Sequence, residues 1–324
     1  MFHFCTYFNK NYLSRGIALF ESLLKTCDDF KLYVVCLDDV SFDVVSEIGE
    51  KNSKLVALPL FEIETWDGDL LKIKHTRSLI EYYFTLSPII PLYILDKYED
   101  VDIITYLDAD LFFYSSPECL YIELGNNSIL AIEHRFPTHR KHKEKFGRFN
   151  VQYLSFRKDE QGIACLTRWR KQCIEWCYDR LEEGKYADQK YLDEWPVLYK
   201  NMVASENKGA GLAPWNVDGY NIKIDKDCLY VDSEKLVFYH YHGLRQLSKR
   251  IMMTGLSLNK VKIQREIVNW LYKRYVRELQ NSEQSISNLV GTMENVSVYV
   301  NVRRSRSKVI EIAKALVRRD ILFV

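Results

Sequence analysis

The sequence predicts an α/β protein: a mostly parallel sheet flanked by helices on both faces, with a C-terminal helical extension. Three observations carry this expectation. Short, apolar, β-favouring runs alternate with helix-like stretches through the first half of the chain. Several of those runs stop at polar residues, as the buried strands of a parallel sheet do at their carboxyl ends. From about residue 246 the character changes to amphipathic and then basic. Two units follow from this, residues 1–245 and residues 246–324.

The elements can be taken in order. Residues 2–8 read as a first strand that ends in the polar loop Asn9-Lys10-Asn11. A helix follows, with Tyr12, Ile17, Leu19, Phe20, Leu23 and Leu24 largely on one face. Residues 31–37 form a short β-rich run halted by Asp38-Asp39; residues 41–50 look helical and 54–60 look like a strand. A helix begins at Ser78, and Pro88 and Pro91 are expected to interrupt or end it. Residues 101–107 then form a buried strand running straight into Asp108-Ala109-Asp110. Ligands of such sheets collect beyond the carboxyl ends of the strands, so Thr6 to Asn9, Asp38-Asp39 and Asp108 to Asp110 draw first attention.

Further on, residues 134–148 are strongly basic and read as a solvated loop, or alternatively as a mobile loop over an anionic ligand. Residues 163–181 read as a helix whose Cys173 and Cys177 belong to the core, since no His or Cys partner set accompanies them. Residues 260–279 are amphipathic, with Ile267, Val268, Leu271, Tyr272, Tyr275 and Leu279 on one side. Residues 303–324 carry seven Lys/Arg against two acids, with apolar residues at helical spacing. That tail suits a helix packed on the domain, or one resting on an anionic membrane surface.

Composition bounds the function. The 324 residues hold 45 Lys+Arg and 44 Asp+Glu, a net charge of +1, which disfavours any role coating nucleic acid. No window approaches 18 uninterrupted apolar residues, so no membrane span is expected. The eight cysteines form no CxxC pair and suit small buried hydrophobes in a reducing compartment. The N-terminus opens directly on a strand-like segment, with no leader pattern. A cytoplasmic location, peripheral to the membrane if the tail binds it, is the expectation.

Asp-x-Asp by itself is a weak signal, and the chain contains it four times, at Asp67/Asp69, Asp100/Asp102, Asp108/Asp110 and Asp225/Asp227. Only Asp108/Asp110 lies between an apolar β-rich run and Leu111-Phe112-Phe113. Two carboxylates at the end of a central strand are costly to bury unpaired, so an Arg, a Lys or a metal ion must compensate them. Residues i and i+2 of an extended chain point the same way, which would let both face one ion. A pair of turn or helix-capping aspartates is the plainer alternative.

Tyr106-Leu107-Asp108-Ala109-Asp110-Leu111 resembles the motif of retaining glycosyltransferases with a GT-A (Rossmann-like) fold, the family 8 group of glycogenin and the lipooligosaccharide galactosyltransferases. Other segments resemble the group in the same order. They are the opening from Thr6 to Leu23, Arg77 ahead of the DxD strand, and Phe149-Asn150-Val151-Gln152, where Gln replaces the group's Gly. Ala187-Asp188-Gln189 and His240-Tyr241-His242-Gly243 complete the series. The resemblance spans roughly residues 1–250 and leaves the C-terminal part without a counterpart.

The resemblance implies a hexosyltransferase that takes sugar from a nucleotide diphosphate sugar, a UDP-sugar by precedent, to a glycan or lipid-linked acceptor with retention. It implies that Asp108, Asp110 and His240 bind a divalent ion, with His242 as the alternative imidazole. Two carboxylates and an imidazole favour Mn2+ over Mg2+. Thr6, Tyr7, Asn9, Tyr12 and Asp38 would hold the base and ribose, together with Ala109 of the DxD turn. Arg77 and either Arg245 or Lys249 would meet the diphosphate. Asp188 and Gln189 would face the donor sugar, Gln189 steadying positive charge rather than attacking. Asn150, Gln152, Trp215 and Asn216 would line the sugar or acceptor side, with a buried anchoring role the alternative for Trp215. A hydrolase reading fits poorly, because paired glycosidase carboxylates flank the bond about 5–9 Å apart. A catalytically weak scaffold that binds nucleotide sugar is the other alternative.

Overall fold

The computed structural model describes residues 1–248, 251–291 and 320–323. Strand β1 (Phe2–Phe8) is followed by α1 (Leu13–Thr26), β2 (Phe30–Cys36), α2 (Asp39–Lys51), β3 (Leu55–Pro59), and the short helices α3 (Leu60–Trp66) and α4 (Gly68–Ile73). Then come α5 (Leu79–Lys97), β4 (Ile103–Leu107), β5 (Leu111–Phe113), α6 (Glu118–Leu124), β6 (Ile129–Glu133), β7 (Phe149–Arg157) and α7 (Glu160–Glu175). After α8 (Trp195–Leu198) and β8 (Met202–Ala204), the small strands β9 (Ile222–Asp225), β10 (Cys228–Val231), β11 (Glu234–Lys235) and β12 (Phe238–His240) follow. The last described elements are β13 (Arg245–Ser248), β14 (Ile251–Met253), α9 (Arg265–Val268), α10 (Arg274–Val290) and β15 (Ile321–Phe323).

The main sheet has seven strands in the order β3-β2-β1-β4-β7-β6-β8. The pairings β3–β2, β2–β1, β1–β4 and β6–β8 are parallel, and β7 runs antiparallel to both its neighbours. This is the mostly parallel, helix-flanked sheet the sequence predicts. Alternation along the strands sorts side chains into two cores. Phe4, Phe8, Leu32, Val34, Leu107 and Leu130 pack with α1 and α2 on one face. Cys5, Tyr33, Val35, Ile104, Tyr106 and Ala131 pack with α5 and α7 on the other. The N-terminal capping box of Asp38 and Ser41 starts α2 directly after β2.

Three expectations need correction. Helix α5 runs unbroken from Leu79 to Lys97 through both Pro88 and Pro91. Each proline costs about 3 kcal/mol in a helix interior. Leu86, Ile89, Ile90, Ile94 and Leu95 are fully buried between the sheet and α7, and at about 1.5–3 kcal/mol per side chain their burial exceeds that cost. Helix α7 ends at Glu175 rather than continuing to 181, because Trp176 turns to extended backbone. Arg77 places its guanidinium on the carbonyls of Cys173 and Ile174 at that end, 3.2 and 2.8 Å away, which suits a cation at a helix C-terminus. The C-terminal helix begins at Arg265, not at 260, where Lys260 takes a left-handed conformation. It passes through a π turn at Asn269–Lys273 and continues into α10.

The basic stretch 134–148 is not simply solvated. His134 and Arg140 are buried, and Arg140 makes a two-pronged ion pair with Asp218, at 2.5 and 2.8 Å. Arg135 donates to the carbonyls of Ser205, Asn207 and Ala210. Its cations therefore fasten the segment to the domain. Cys173 and Cys177 are both buried in the core. The proposed membrane-facing tail, 303–324, falls outside the described residues except for the strand at its end. No helix among the described residues is long and apolar enough to cross a membrane.

Candidate functional site

Strand β4 ends at Leu107, and Asp108-Ala109-Asp110 makes a tight turn into β5 rather than continuing extended. The Leu111 N–H closes the turn on the Asp108 carbonyl at 3.2 Å, while the Asp108 N–H still reaches β7 through the Gln152 carbonyl at 3.0 Å. The two carboxylates thus share a turn at the carboxyl edge of the sheet, beside the loops that follow β1 and β2.

The third member comes from far along the chain. Strand β12 pairs antiparallel with β5, setting His240 opposite Leu111, and the Tyr241 N–H bonds the Asp110 carbonyl at 3.0 Å. His240 Nε2 then lies 3.0 Å from Asp110 Oδ1 and 3.8 Å from Asp108 Oδ2. Its Nδ1 faces Gln152 Oε1 at 2.9 Å. Tyr106 donates its hydroxyl to Asp108 Oδ1 at 3.0 Å. One ligand atom from each of Asp108, Asp110 and His240 lies within 4.8 Å of the others.

Electrostatics distinguish the two aspartates. For Asp110, burial pushes the carboxyl up, but the charge and hydrogen bond of His240, with the charge of Arg15, hold it well below the usual carboxylate range. Asp108 is raised to about 6 by burial, with His240 opposing and the charge of Asp110 adding. Burial lowers His240, yet Asp110 and then Asp108 outweigh it and leave the imidazole above its ordinary value. Two oxygen donors and one nitrogen donor, converging on one partly buried point, fit a divalent cation of the borderline kind. His242 is exposed and stands outside this converging trio, its ring 5.6 Å from that of His240.

Asp188 lies on the same side and is buried. Its carboxyl is raised to about 7, by burial first, with Ser87 opposing through a hydrogen bond and the charge of Asp108 adding. The residue before it, Ala187, holds φ +46, a left-handed conformation that a side chain disfavours. Such strain next to a buried acid is a common mark of a working site. Gln189 donates its amide to the Phe146 carbonyl at 2.9 Å, and it occupies the N-cap position of the turn at Lys190–Glu194 without a capping hydrogen bond from its side chain.

The remaining expected residues divide by environment. Tyr7 is half-buried, its hydroxyl 3.4 Å from Ser87 Oγ. Asn9 reaches the Tyr83 hydroxyl at 3.5 Å, and Tyr12 is exposed beneath the Arg15 guanidinium at 4.3 Å. Thr6 is fully buried, and Asp38 accepts from the backbone of Lys10 and Ser41. Ala109 is buried in the turn. Arg77 is buried, with its guanidinium 4.1 Å over the Tyr178 ring. Arg245 is exposed on β13, and Lys249 falls outside the described residues.

The expected sugar-side residues form a layer behind His240. Trp215 stands edge to face against His240, 5.1 Å between ring centres, and is buried. Asn216 is fully buried, donating to the His134 and Gly211 carbonyls and accepting from Ala213. Asn150 accepts from the Gln152 N–H and meets His134 Nε2 at 2.8 Å. Sequence reasoning missed Arg15, Ser87 and His134, which face Asp110, Asp188 and Asn150. A polar residue among buried neighbours of α1 and α5 was the only available signal for the first two.

No protein-family model matches the chain. It is similar to two uncharacterized proteins of Bacillus subtilis (strain 168). YfnF is 31% identical over 253 residues, covering 76% of this chain and 82% of that protein. YfnD is 29% identical over 252 residues, covering 77% and 80%. Among solved structures, the galactosyltransferase LgtC, in complex with donor and acceptor sugar analogues, aligns over 86% of this chain and 95% of its own. The TM-score is 0.56 and the identity 15%. The bifunctional glycosyltransferase WbbM aligns over 89% of this chain and 51% of its own, with a TM-score of 0.52 and 13% identity. The chain belongs to the family of YfnF, and its fold is the GT-A fold of the family 8-like glycosyltransferases.

Proposed function

We propose that this protein is a metal-dependent glycosyltransferase that moves a hexose from a nucleotide diphosphate sugar, a UDP-sugar in the first instance, to a glycan or lipid-linked acceptor with retention. The observation that carries the reading is the convergence of Asp108, Asp110 and His240 on one partly buried point at the carboxyl edge of the sheet. The chemistry asks for local positive charge. As the bond from the anomeric carbon to the diphosphate breaks, the leaving group gains negative charge, and a chain of net charge +1 supplies none diffusely. A divalent ion, manganese by the donor set, would neutralise the diphosphate as a Lewis acid.

The chain's own groups supply the rest. Tyr106 holds Asp108 by a hydrogen bond, and His240 holds Asp110, so both carboxylates are oriented before a ligand arrives. Asp188, buried and set close enough to feel the charge of Asp108, would face the donor sugar. Its carboxylate form would stabilise the positive charge that develops on the sugar ring. Gln189, tied to Phe146, would orient the sugar rather than attack it, because a neutral amide is a poor nucleophile. Tyr7, Asn9 and Tyr12 would meet the nucleoside, and the exposed Tyr12 ring offers a stacking face.

Incubation with UDP-, GDP- and CMP-sugars tests the reading. Slow release of nucleoside diphosphate that needs Mn2+ and stops with EDTA is the expected result. Failure of every donor to react in the presence of Mn2+ would overturn it. Metal-independent cleavage of a simple glycoside would point instead to a hydrolase.

A further inference from the structure

We infer that Asp320, near the end of the chain, is a positioning residue for the donor site. Its carboxylate clamps the turn Thr254–Ser257, and Gly255 of that turn packs directly against His242 and Gly243. The consequence for donor binding rests on the reading above; the geometry does not. Asp320 immediately precedes β15 and is 3% exposed. Thr254 donates its hydroxyl to Oδ1, and Ser257 donates its hydroxyl and its N–H to Oδ2, at 2.6 and 3.4 Å. The Thr254 N–H also reaches the Asp320 carbonyl at 3.3 Å. A buried carboxylate is costly unless such donors satisfy it. Strand β15 then pairs antiparallel with β14, from Met253 against Ile321 to Ile251 against Phe323. A slip of one residue would turn the fully buried Leu322 to the other face and take Asp320 from its donors, so the carboxylate fixes the register.

The clamped turn is the wall behind the segment that follows β12. Gly255 has φ +78, and a Cβ there would stand 2.9 Å from the Gly243 carbonyl oxygen and 3.1 Å from that of His242. The two backbones therefore meet with no side chain between them, an approach that glycine permits. The same segment is tied to the candidate metal site on its other side. The Tyr241 N–H bonds the Asp110 carbonyl at 3.0 Å, and Arg15 donates to the Leu244 carbonyl at 2.6 Å. His242 and Gly243 thus lie between the DxD turn and Gly255. The far end of the wall is held too: Arg140 Nε reaches the Asn259 carbonyl and Lys143 Nζ its side-chain oxygen, each at 2.7 Å. Close packing of this kind transmits a displacement instead of absorbing it. Loss of the Asp320 clamp would loosen the wall and, with it, the segment next to His240. On this reading the chain beyond residue 245 completes the donor site and is not an appendage to it.

Hydrogen exchange of the full chain, read by mass spectrometry, and calorimetric titration of UDP in Mn2+ test this together. Asp320→Ala is expected to speed amide exchange in residues 241–247 about tenfold or more, while the strands of the main sheet keep wild-type protection. Its UDP affinity should fall about tenfold, because the loosened segment must then be ordered on binding. Asp320→Asn keeps an acceptor for Thr254 and should recover most of both losses. Ser257→Ala removes one donor and leaves the carboxylate, so it should show a smaller loss of the same kind, and it carries the test if Asp320→Ala does not fold. Wild-type exchange across residues 241–247 in Ser257→Ala and in any folded Asp320→Ala would overturn the inference. So would faster exchange there with wild-type UDP affinity. A wild type that binds no UDP, with exchange still accelerated in the variants, would support the clamp and overturn the UDP reading, which separates the two.

Discussion

His240 Nε2 lies 3.0 Å from Asp110 Oδ1, joining the end of β12 to the turn after β4. The contact exists because β5 and β12 form an antiparallel ribbon whose register sets His240 against Leu111, one residue past Asp110. Both partners are buried, so each depends on the other's charge.

Asp110→Asn removes the charge that this arrangement is built around. The fold should persist, since Tyr241 contacts the Asp110 backbone rather than its side chain. Metal-dependent release of nucleoside diphosphate should fall about a hundredfold or more, with weaker Mn2+ binding. Steady-state rates and calorimetry on the same preparation check this. Turnover at the wild-type level would remove Asp110 from the proposed site.

How much of this was legible beforehand depended on sequence distance. Strands β1 and β2 and the DxD turn were readable because each is a local pattern, an apolar run followed by a polar stop, and β3 was readable from its apolar run alone. The contact of His240 with Asp110 was not, because strand pairing between distant segments leaves no local mark. It was expected only through resemblance. Helix α5 was misjudged because local propensity counts prolines against a helix, while burial against the sheet and α7 is a tertiary quantity. The basic stretch misled for a related reason: the partners of Arg135 and Arg140 lie in segments beyond residue 200.

Arg140→Ala should destabilise the domain by about 3–5 kcal/mol, because it leaves Asp218 half-buried without its partner. The Arg140 side chain is 4% exposed and that of Asp218 11%. For Asp218, burial pushes the carboxyl up, and the hydrogen bonds and charge of Arg140 hold it lower. Arg140→Lys should recover part of the loss only, as an ammonium cannot reproduce the two-pronged contact. Urea unfolding of the three proteins measures the difference. A loss under about 1 kcal/mol for Arg140→Ala would mean the pair is solvated.

Gly162→Ala sets helix propensity against space. Alanine is favoured over glycine by about 1 kcal/mol in a helix interior. A Cβ at 162 would meet the Arg157 carbonyl oxygen at 2.1 Å, a backbone atom of β7. Moving α7 away from that strand should cost about 1–3 kcal/mol. The net effect should therefore be destabilising, read as a lower urea midpoint at unchanged m. A higher midpoint would show that the helix start can shift freely.

His134 should make stability sensitive to mild acid. Burial lowers its pKa to about 3, with the Arg148 carbonyl opposing and the charges of His240 and His242 adding. Its Nε2 faces the Asn150 amide nitrogen at 2.8 Å, so the neutral ring accepts there, and a second ring proton would meet a donor. The unfolded histidine titrates near 6.5 and binds the proton that the folded one refuses. Stability from this residue is therefore fully present above about pH 6.5 and is lost as the pH falls below it, by up to about 1.4 kcal/mol per pH unit. Between pH 7.5 and 5.5 the wild type should lose about 1 kcal/mol more than His134→Gln. Urea midpoints at the two pH values check this, and identical losses in both proteins would show that His134 is free to protonate in the folded state.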